Sequence, residues 1–243
     1  MKIYCLLLSF AVLAVHLVAA SKKVLFFGNS YTAQSAFFIK EVFEREKTGY
    51  EPDFVTPGGK DLAFHLNHVN SRKKLASAKW DVVIIQEQSQ KAGLPGHFVK
   101  SFQDGANGLC TAIKMQGAKP CLFMTWGRRD GDKRNKGVFP DFLAMHGKIS
   151  ASYEKAAKRN DALLAPVGHA FAIIHAQDKK LFKSLYKGDG SHPSAQGGYL
   201  TACVFHGLLS GESPLTIRWN AKFKTKTASD LRNAAAEALK ELP

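Results

Sequence analysis

Short apolar runs alternate with longer amphipathic ones along nearly the whole chain, and that order predicts a three-layer α/β/α sandwich. Two of the runs, "DVVIIQ" (81–86) and "CLFMTW" (121–126), are almost continuous in apolar residues, as expected of strands covered on both faces. Parallel strands need helical crossovers, which the alternation supplies. The economical arrangement is a doubly wound, flavodoxin-like parallel sheet of about five strands in the order 2-1-3-4-5.

The chain opens on a different kind of segment. Lys2, an apolar run from Ile3 to Val18 and the small residues Ala19 and Ala20 read as a secretory signal peptide over 1–20. The mature chain is then expected to begin near Ser21 and to be secreted or periplasmic, as one domain over 21–243. No later stretch has the length and apolarity of a transmembrane helix.

Within that domain, strands are expected at Val24–Phe27, Asp53–Thr56, Asp81–Gln86, Lys119–Thr125 and Ala162–Ala165. Helices are expected at Tyr31–Lys47, Leu62–Ala76, Val99–Met115 and Asp141–Lys158, with two more near Pro193–Leu209 and Ala228–Leu239. Phe37, Phe38 and Phe43 fall at near-helical spacing for the core, and Ser229 or Thr227 is placed to cap the last helix. Cys110, Cys121 and Cys203 survive signal removal. An odd number excludes full internal pairing; Cys110–Cys121 is the nearer pair, and small buried hydrophobes are the favoured reading.

The fold class directs attention to the residues that follow each strand, because ligands of open α/β sheets bind there. They are Gly28-Asn29-Ser30, Pro57-Gly58-Gly59, Glu87-Gln88-Ser89 and Trp126-Gly127-Arg128-Arg129. Ser30 admits two readings: a helix cap, a common use of serine, or a nucleophile. A nucleophilic serine needs a base, and the base an orienting acid. Among the histidines, His192 has the best context, "GDGSHPSAQGGYL", with Asp189 three residues before it. The same stretch also reads as a Gly-rich turn opening a helix.

A strand followed by Gly-x-Ser near the mature N-terminus, with Asp-x-x-His-Pro near the C-terminus, resembles the SGNH hydrolases, the GDSL-type esterases. The likeness spans nearly the whole mature chain. It implies Ser30 as nucleophile, His192 as base and Asp189 as its orienting acid. It also implies an oxyanion hole from the Ser30 amide, a glycine amide (Gly58 or Gly59, with Gly59 chosen) and a side-chain amide of the third block. This sequence departs from the family at Asn29, where Asp is usual, and in the third block. There "IIQEQSQ" replaces Gly-x-Asn, with Gln88 at the Asn position and Gln86 as the fallback donor. The resemblance implies acyl-enzyme chemistry on carboxylic esters, acylated carbohydrate above all, with no metal or organic cofactor. Activity is expected to rise as the histidine base loses its proton.

Other classes fit less well. An α/β-hydrolase elbow would need Gly-x-Ser-x-Gly, and the motif here ends in Thr32. A lipase or thioesterase of the same fold lacks an apolar lid, and a non-catalytic carbohydrate-binding relic has the altered third block as its support. The net charge of +14, or +13 without Lys2, suits anionic surroundings. The basic residues are nevertheless dispersed, and no nucleic-acid recognition motif is present. Trp126, Arg128 and Arg129 are candidates for substrate contact: the arginines for an anionic or sugar group, the indole for stacking. His65 and His68 sit three apart without an acidic partner, so they are expected as ordinary helix-face residues rather than metal ligands.

Overall fold

The computed structural model describes residues 21–240, and the expected signal peptide lies outside the described residues. Five parallel strands form one sheet: β1 (Lys22–Phe27), β2 (Tyr50–Val55), β3 (Val82–Ile85), β4 (Lys119–Phe123) and β5 (Leu163–Ala165). Their order is β2-β1-β3-β4-β5, the order read from the sequence. β1 is an interior strand, with Val24 beside Pro52 on one side and Val82 on the other.

The side chains of the strands divide strictly by parity. Val24, Phe26, Val82, Ile84, Cys121 and Phe123 join one apolar cluster; Leu25, Phe27, Val83, Ile85 and Leu122 join the other. Both faces are therefore covered, which is why these strands read as unbroken apolar runs. One face is covered by α1 (Ser30–Arg45), α6 (Val167–Gln177), α8 (Ala195–Ser210) and α9 (Thr225–Lys240), the other by α2 (Leu62–Asn67), α4 (His97–Met115) and α5 (Phe142–Arg159).

Several elements differ from expectation for identifiable reasons. The helix expected at Leu62–Ala76 is two, α2 and α3 (Val69–Ala76), because His68 takes an extended backbone with ψ 125°. α6 is apolar nearly all round and buried, so it has no amphipathic period to reveal it. Asp178 ends α6 and caps α7 (Lys179–Ser184), its carboxylate accepting from the amides of Lys180 and Leu181 at 2.8 and 2.9 Å. α9 begins at Thr225, so Thr227 and Ser229 lie inside it rather than at its cap. Phe43 is core, whereas Phe37 is 60% exposed. All three described cysteines are free and buried, and burial pushes the Cys110 and Cys203 thiols up to about 12. Among the described residues no helix is long and apolar enough to cross a membrane.

Candidate active site

At the carboxyl end of β1 the chain makes a tight turn into α1. The helix cap is Asn29, whose Oδ1 accepts from the Tyr31 amide at 3.1 Å, so Ser30 is released from capping and stands as the first helical residue. Beneath the turn lies Gln86, fully buried just past β3. Its Oε1 accepts from the Asn29 amide at 3.1 Å and from the Thr32 hydroxyl at 2.8 Å, while its Nε2 donates to the Glu87 carbonyl. Gly28 is forced by this packing: a Cβ there would meet Thr32 Oγ1 at 2.2 Å and Gln86 Oε1 at 2.9 Å. His65, buried rather than surface-facing, holds the same turn from the other side. Its Nε2 meets the Gly28 carbonyl at 2.9 Å, and its Nδ1 meets Ser71 Oγ at 3.1 Å.

His192 arrives from the segment before α8, a loop closed on itself. The Lys187 amide donates to the His192 carbonyl at 2.8 Å and the Ser194 amide to the Leu185 carbonyl at 2.8 Å. Asp189 orders the loop from within, its Oδ1 accepting from the amides of Ser191 and His192 at 2.9 and 3.0 Å. Its Oδ2 meets His192 Nδ1 at 2.5 Å, and His192 Nε2 lies 2.8 Å from Ser30 Oγ. An ionised carboxylate can only accept, so Nδ1 carries the hydrogen and Nε2 presents a lone pair to Ser30. Desolvation works upward on Asp189, but the His192 hydrogen bond and the two amides outweigh it and hold the carboxyl down at about 2.

Aromatic packing fixes this loop over the Ser30 turn. Tyr31 presents its ring to His192 at 5.3 Å and 73°, and its hydroxyl is 2.6 Å from Ser191 Oγ. Trp126 is fully buried, stacked between Tyr31 and Phe171 at 4.9 and 4.2 Å, and its Nε1 donates to the Ser191 carbonyl at 3.1 Å. That corrects its expected place on the substrate surface: the indole is spent on the core. Arg129 likewise gives its guanidinium to Asp130, at 2.9 and 2.7 Å, and its amide to the Gly190 carbonyl at 2.8 Å. Arg128 remains about a quarter exposed, held at 2.9 Å by the buried Asp132, with a long 3.4 Å contact to Ser89 Oγ.

The two segments expected to donate to an oxyanion are placed differently. Gly59, at φ +70° with open space where a Cβ would stand, lies in the β2–α2 turn. Asn29 Nδ2 donates to the Lys60 carbonyl at 2.9 Å and so ties that turn to Ser30. Gln88 is engaged within its own loop. Its Oε1 accepts from the Gln90 amide at 2.8 Å, and its Nε2 makes only long 3.3 Å bonds to Ser89 Oγ and Gln90 Oε1. The fallback donor, Gln86, has both ends of its amide committed beneath the turn and is not free for that role. Sequence reading missed the supports Gln86, Glu87, His65, Tyr31 and Asn29. Two polar residues directly after the apolar β3 were the available signal. Among the described residues no cluster of three or more His, Cys, Asp or Glu could hold a metal ion.

No protein-family model matches the sequence, and no curated protein matches it significantly. Solved structures do. A DUF4886 family protein from Bacteroides uniformis superposes with a TM-score of 0.77 at 20% identity, over 90% of this chain and 95% of that one. A putative SGNH hydrolase from Slackia heliotrinireducens matches at TM-score 0.65 and 28% identity, over 77% of this chain and 98% of that one. The fold is of the SGNH hydrolase type. An acetyl xylan esterase, AlAXEase, shares that fold at TM-score 0.59 and 19% identity, over 75% of this chain and 97% of that one. Ser30, His192 and Asp189 all lie at the carboxyl edge of the observed sheet.

Proposed function

We propose that the protein is a secreted serine hydrolase that cleaves carboxylic esters. The reading rests on one observation above all: an unbroken hydrogen-bonded chain from Ser30 Oγ through the His192 ring to Asp189. His192 Nε2 takes the proton as Ser30 Oγ bonds to the ester carbonyl carbon, and Asp189 stabilises the imidazolium. The tetrahedral oxyanion meets the amide of Ser30 at the start of α1 and the amide of Gly59. Gln88 completes the hole: its Nε2 is held only by long bonds, and turning it toward the oxyanion gives up the bond that Oε1 accepts from the Gln90 amide. Loss of one such donor typically costs about 2.7–4 kcal/mol of transition-state stabilisation. The imidazolium then returns its proton to the departing alkoxide, and water, deprotonated by His192, hydrolyses the acyl-enzyme.

Acylated carbohydrate, and an acetyl group within it, is the favoured substrate. The fold is shared with an acetyl xylan esterase, and Arg128 offers a partly exposed cation beside the site. The cation favours a substrate with an anionic group, in keeping with the charge of the chain. The intact chain of hydrogen bonds speaks against a non-catalytic relic.

Ser30→Ala tests the whole reading. It is expected to lower hydrolysis of an aryl acetate by at least about 10⁴-fold and to abolish labelling by a serine-directed phosphonate. Retained activity or labelling would remove Ser30 from the mechanism. Acetylated neutral and carboxylate-bearing sugars, assayed side by side, then decide the substrate class.

A further inference from the structure

We infer that Glu87 is a positioning residue for the oxyanion donors, and that its ionised form is the one that holds the loop after β3 in its working position. The inference rests on the reading of Ser30 as nucleophile and Gln88 as donor.

Glu87 follows Gln86 directly and is fully buried. Its Oε1 accepts from the Gln88 amide at 2.6 Å, and its own amide donates to the Tyr153 hydroxyl of α5 at 3.1 Å. Gln88 therefore leaves the strand in a direction set by the Glu87 carboxyl. Oε2 is buried with no hydrogen-bond partner of its own, close to the Leu62 amide that opens α2. The carboxyl thus lies between the loop after β3, which carries Gln88, and the end of the β2–α2 turn, which carries Gly59. A Lys91–Asp61 ion pair joins the same two loops. The three consecutive residues divide the work. Gln86 braces the nucleophile turn, Glu87 braces the two loops, and Gln88 is left to face the reaction.

The titratable groups around Glu87 come from each packed element: the charged Asp61 from the β2–α2 loop and Lys91 from the β3–α4 loop, and the neutral Tyr153 phenol from α5. Burial is the dominant influence and raises the carboxyl to about 7; Asp61 adds to the rise, while the Gln88 amide, Lys91 and the Leu62 amide oppose it. Ionisation gives both nearby amides a charged acceptor, which roughly doubles the strength of such a bond. The protonated carboxyl offers a weaker acceptor and a hydroxyl hydrogen with no acceptor in view. The competent enzyme therefore needs two groups deprotonated, His192 as base and Glu87 as brace.

The experiment is the pH profile of kcat/KM for an aryl acetate, measured on the wild type and on Glu87→Gln, with the phosphonate labelling rate followed in parallel. On the acid limb, log kcat/KM of the wild type should approach a slope of two. Glu87→Gln should keep a slope of one and lose about tenfold in both rates at pH 8. A slope of one in the wild type overturns the inference without any variant, so a misfolded variant does not protect it. A variant that keeps the wild-type slope and rates overturns it as well. If Ser30 is labelled and Glu87 is shown dispensable, only this inference falls. If Ser30→Ala stays active, the esterase mechanism falls with it.

Discussion

The His192–Asp189 pair and the support beneath Ser30 are built in opposite ways. His192 and Asp189 are three residues apart, and their side chains are 30% and 47% exposed. One short loop creates their geometry, with Asp189 satisfied almost wholly by that loop's own amides. Gln86 and Glu87 are adjacent and fully buried, yet every bond that gives them a purpose beyond their own loop reaches across the fold. Asn29 lies 57 residues away from Gln86, and Tyr153 lies 66 from Glu87. The difference teaches that reactive chemistry can be local while the rigidity behind it is tertiary. A buried polar brace also carries the larger penalty when broken, since its partners are left unpaired away from water.

The sharpest way to break that contrast is Gln86→Leu. The Asn29 amide and the Thr32 hydroxyl would lose their shared acceptor at 3.1 and 2.8 Å in a site that water does not reach. The hydroxyl can rotate; the amide cannot. A destabilisation of about 2–4 kcal/mol is expected from denaturant unfolding, combining one orphaned amide with a lost side-chain bond. A change below about 0.5 kcal/mol would show that the brace is ornamental.

The same contrast explains how much of the molecule could be read beforehand. The sheet order followed from apolar runs and alternation, because a strand buried on both faces writes that fact into its composition. Ser30, Asp189 and His192 were legible because short motifs hold each of them. Trp126 was misplaced because an aromatic after a strand reads the same whether it faces substrate or is stacked between Tyr31 and Phe171. Asn29 as cap, and His65 as a second clamp on Gly28, depend on partners that no periodicity reveals. α6 escaped for the reverse reason: it is apolar nearly all round, which erased the pattern that identifies a surface helix.

A second test concerns stability rather than rate. Glu87 titrates near 4.5 when exposed and at about 7 when buried, so between those values the native state holds a proton that the unfolded chain has released. Its contribution to stability is therefore present at acid pH and lost as pH rises toward 7 and beyond. His146 runs the other way: burial first, then the neighbouring His169 and His175, lower it to about 3, so it disfavours the folded state increasingly as pH falls below the ordinary histidine value. The Glu87→Gln minus wild-type difference isolates the first effect. It should shift by about 2–3 kcal/mol in favour of the variant between pH 5 and pH 8. A constant difference would place the carboxyl at an ordinary pKa, ionised throughout that range, and remove the second deprotonation from the acid limb.

The smallest expected effect separates capping from positioning at a single residue. Asn29 does both: Oδ1 caps α1, and Nδ2 holds the Lys60 carbonyl beside the Gly59 turn. An aspartate, usual here in SGNH hydrolases, has no hydrogen to give a carbonyl, so this tie is particular to asparagine. Serine keeps a good cap but is too short to reach Lys60. Asn29→Ser should therefore unfold within about 1 kcal/mol of the wild type, while kcat for an aryl acetate falls about fivefold, equivalent to about 1 kcal/mol of transition-state stabilisation. Equal loss in stability and rate would mean that Asn29 acts only as a cap. A rate loss alone would mean that the Gly59 turn contributes its oxyanion donor because the Asn29 side chain holds it in place.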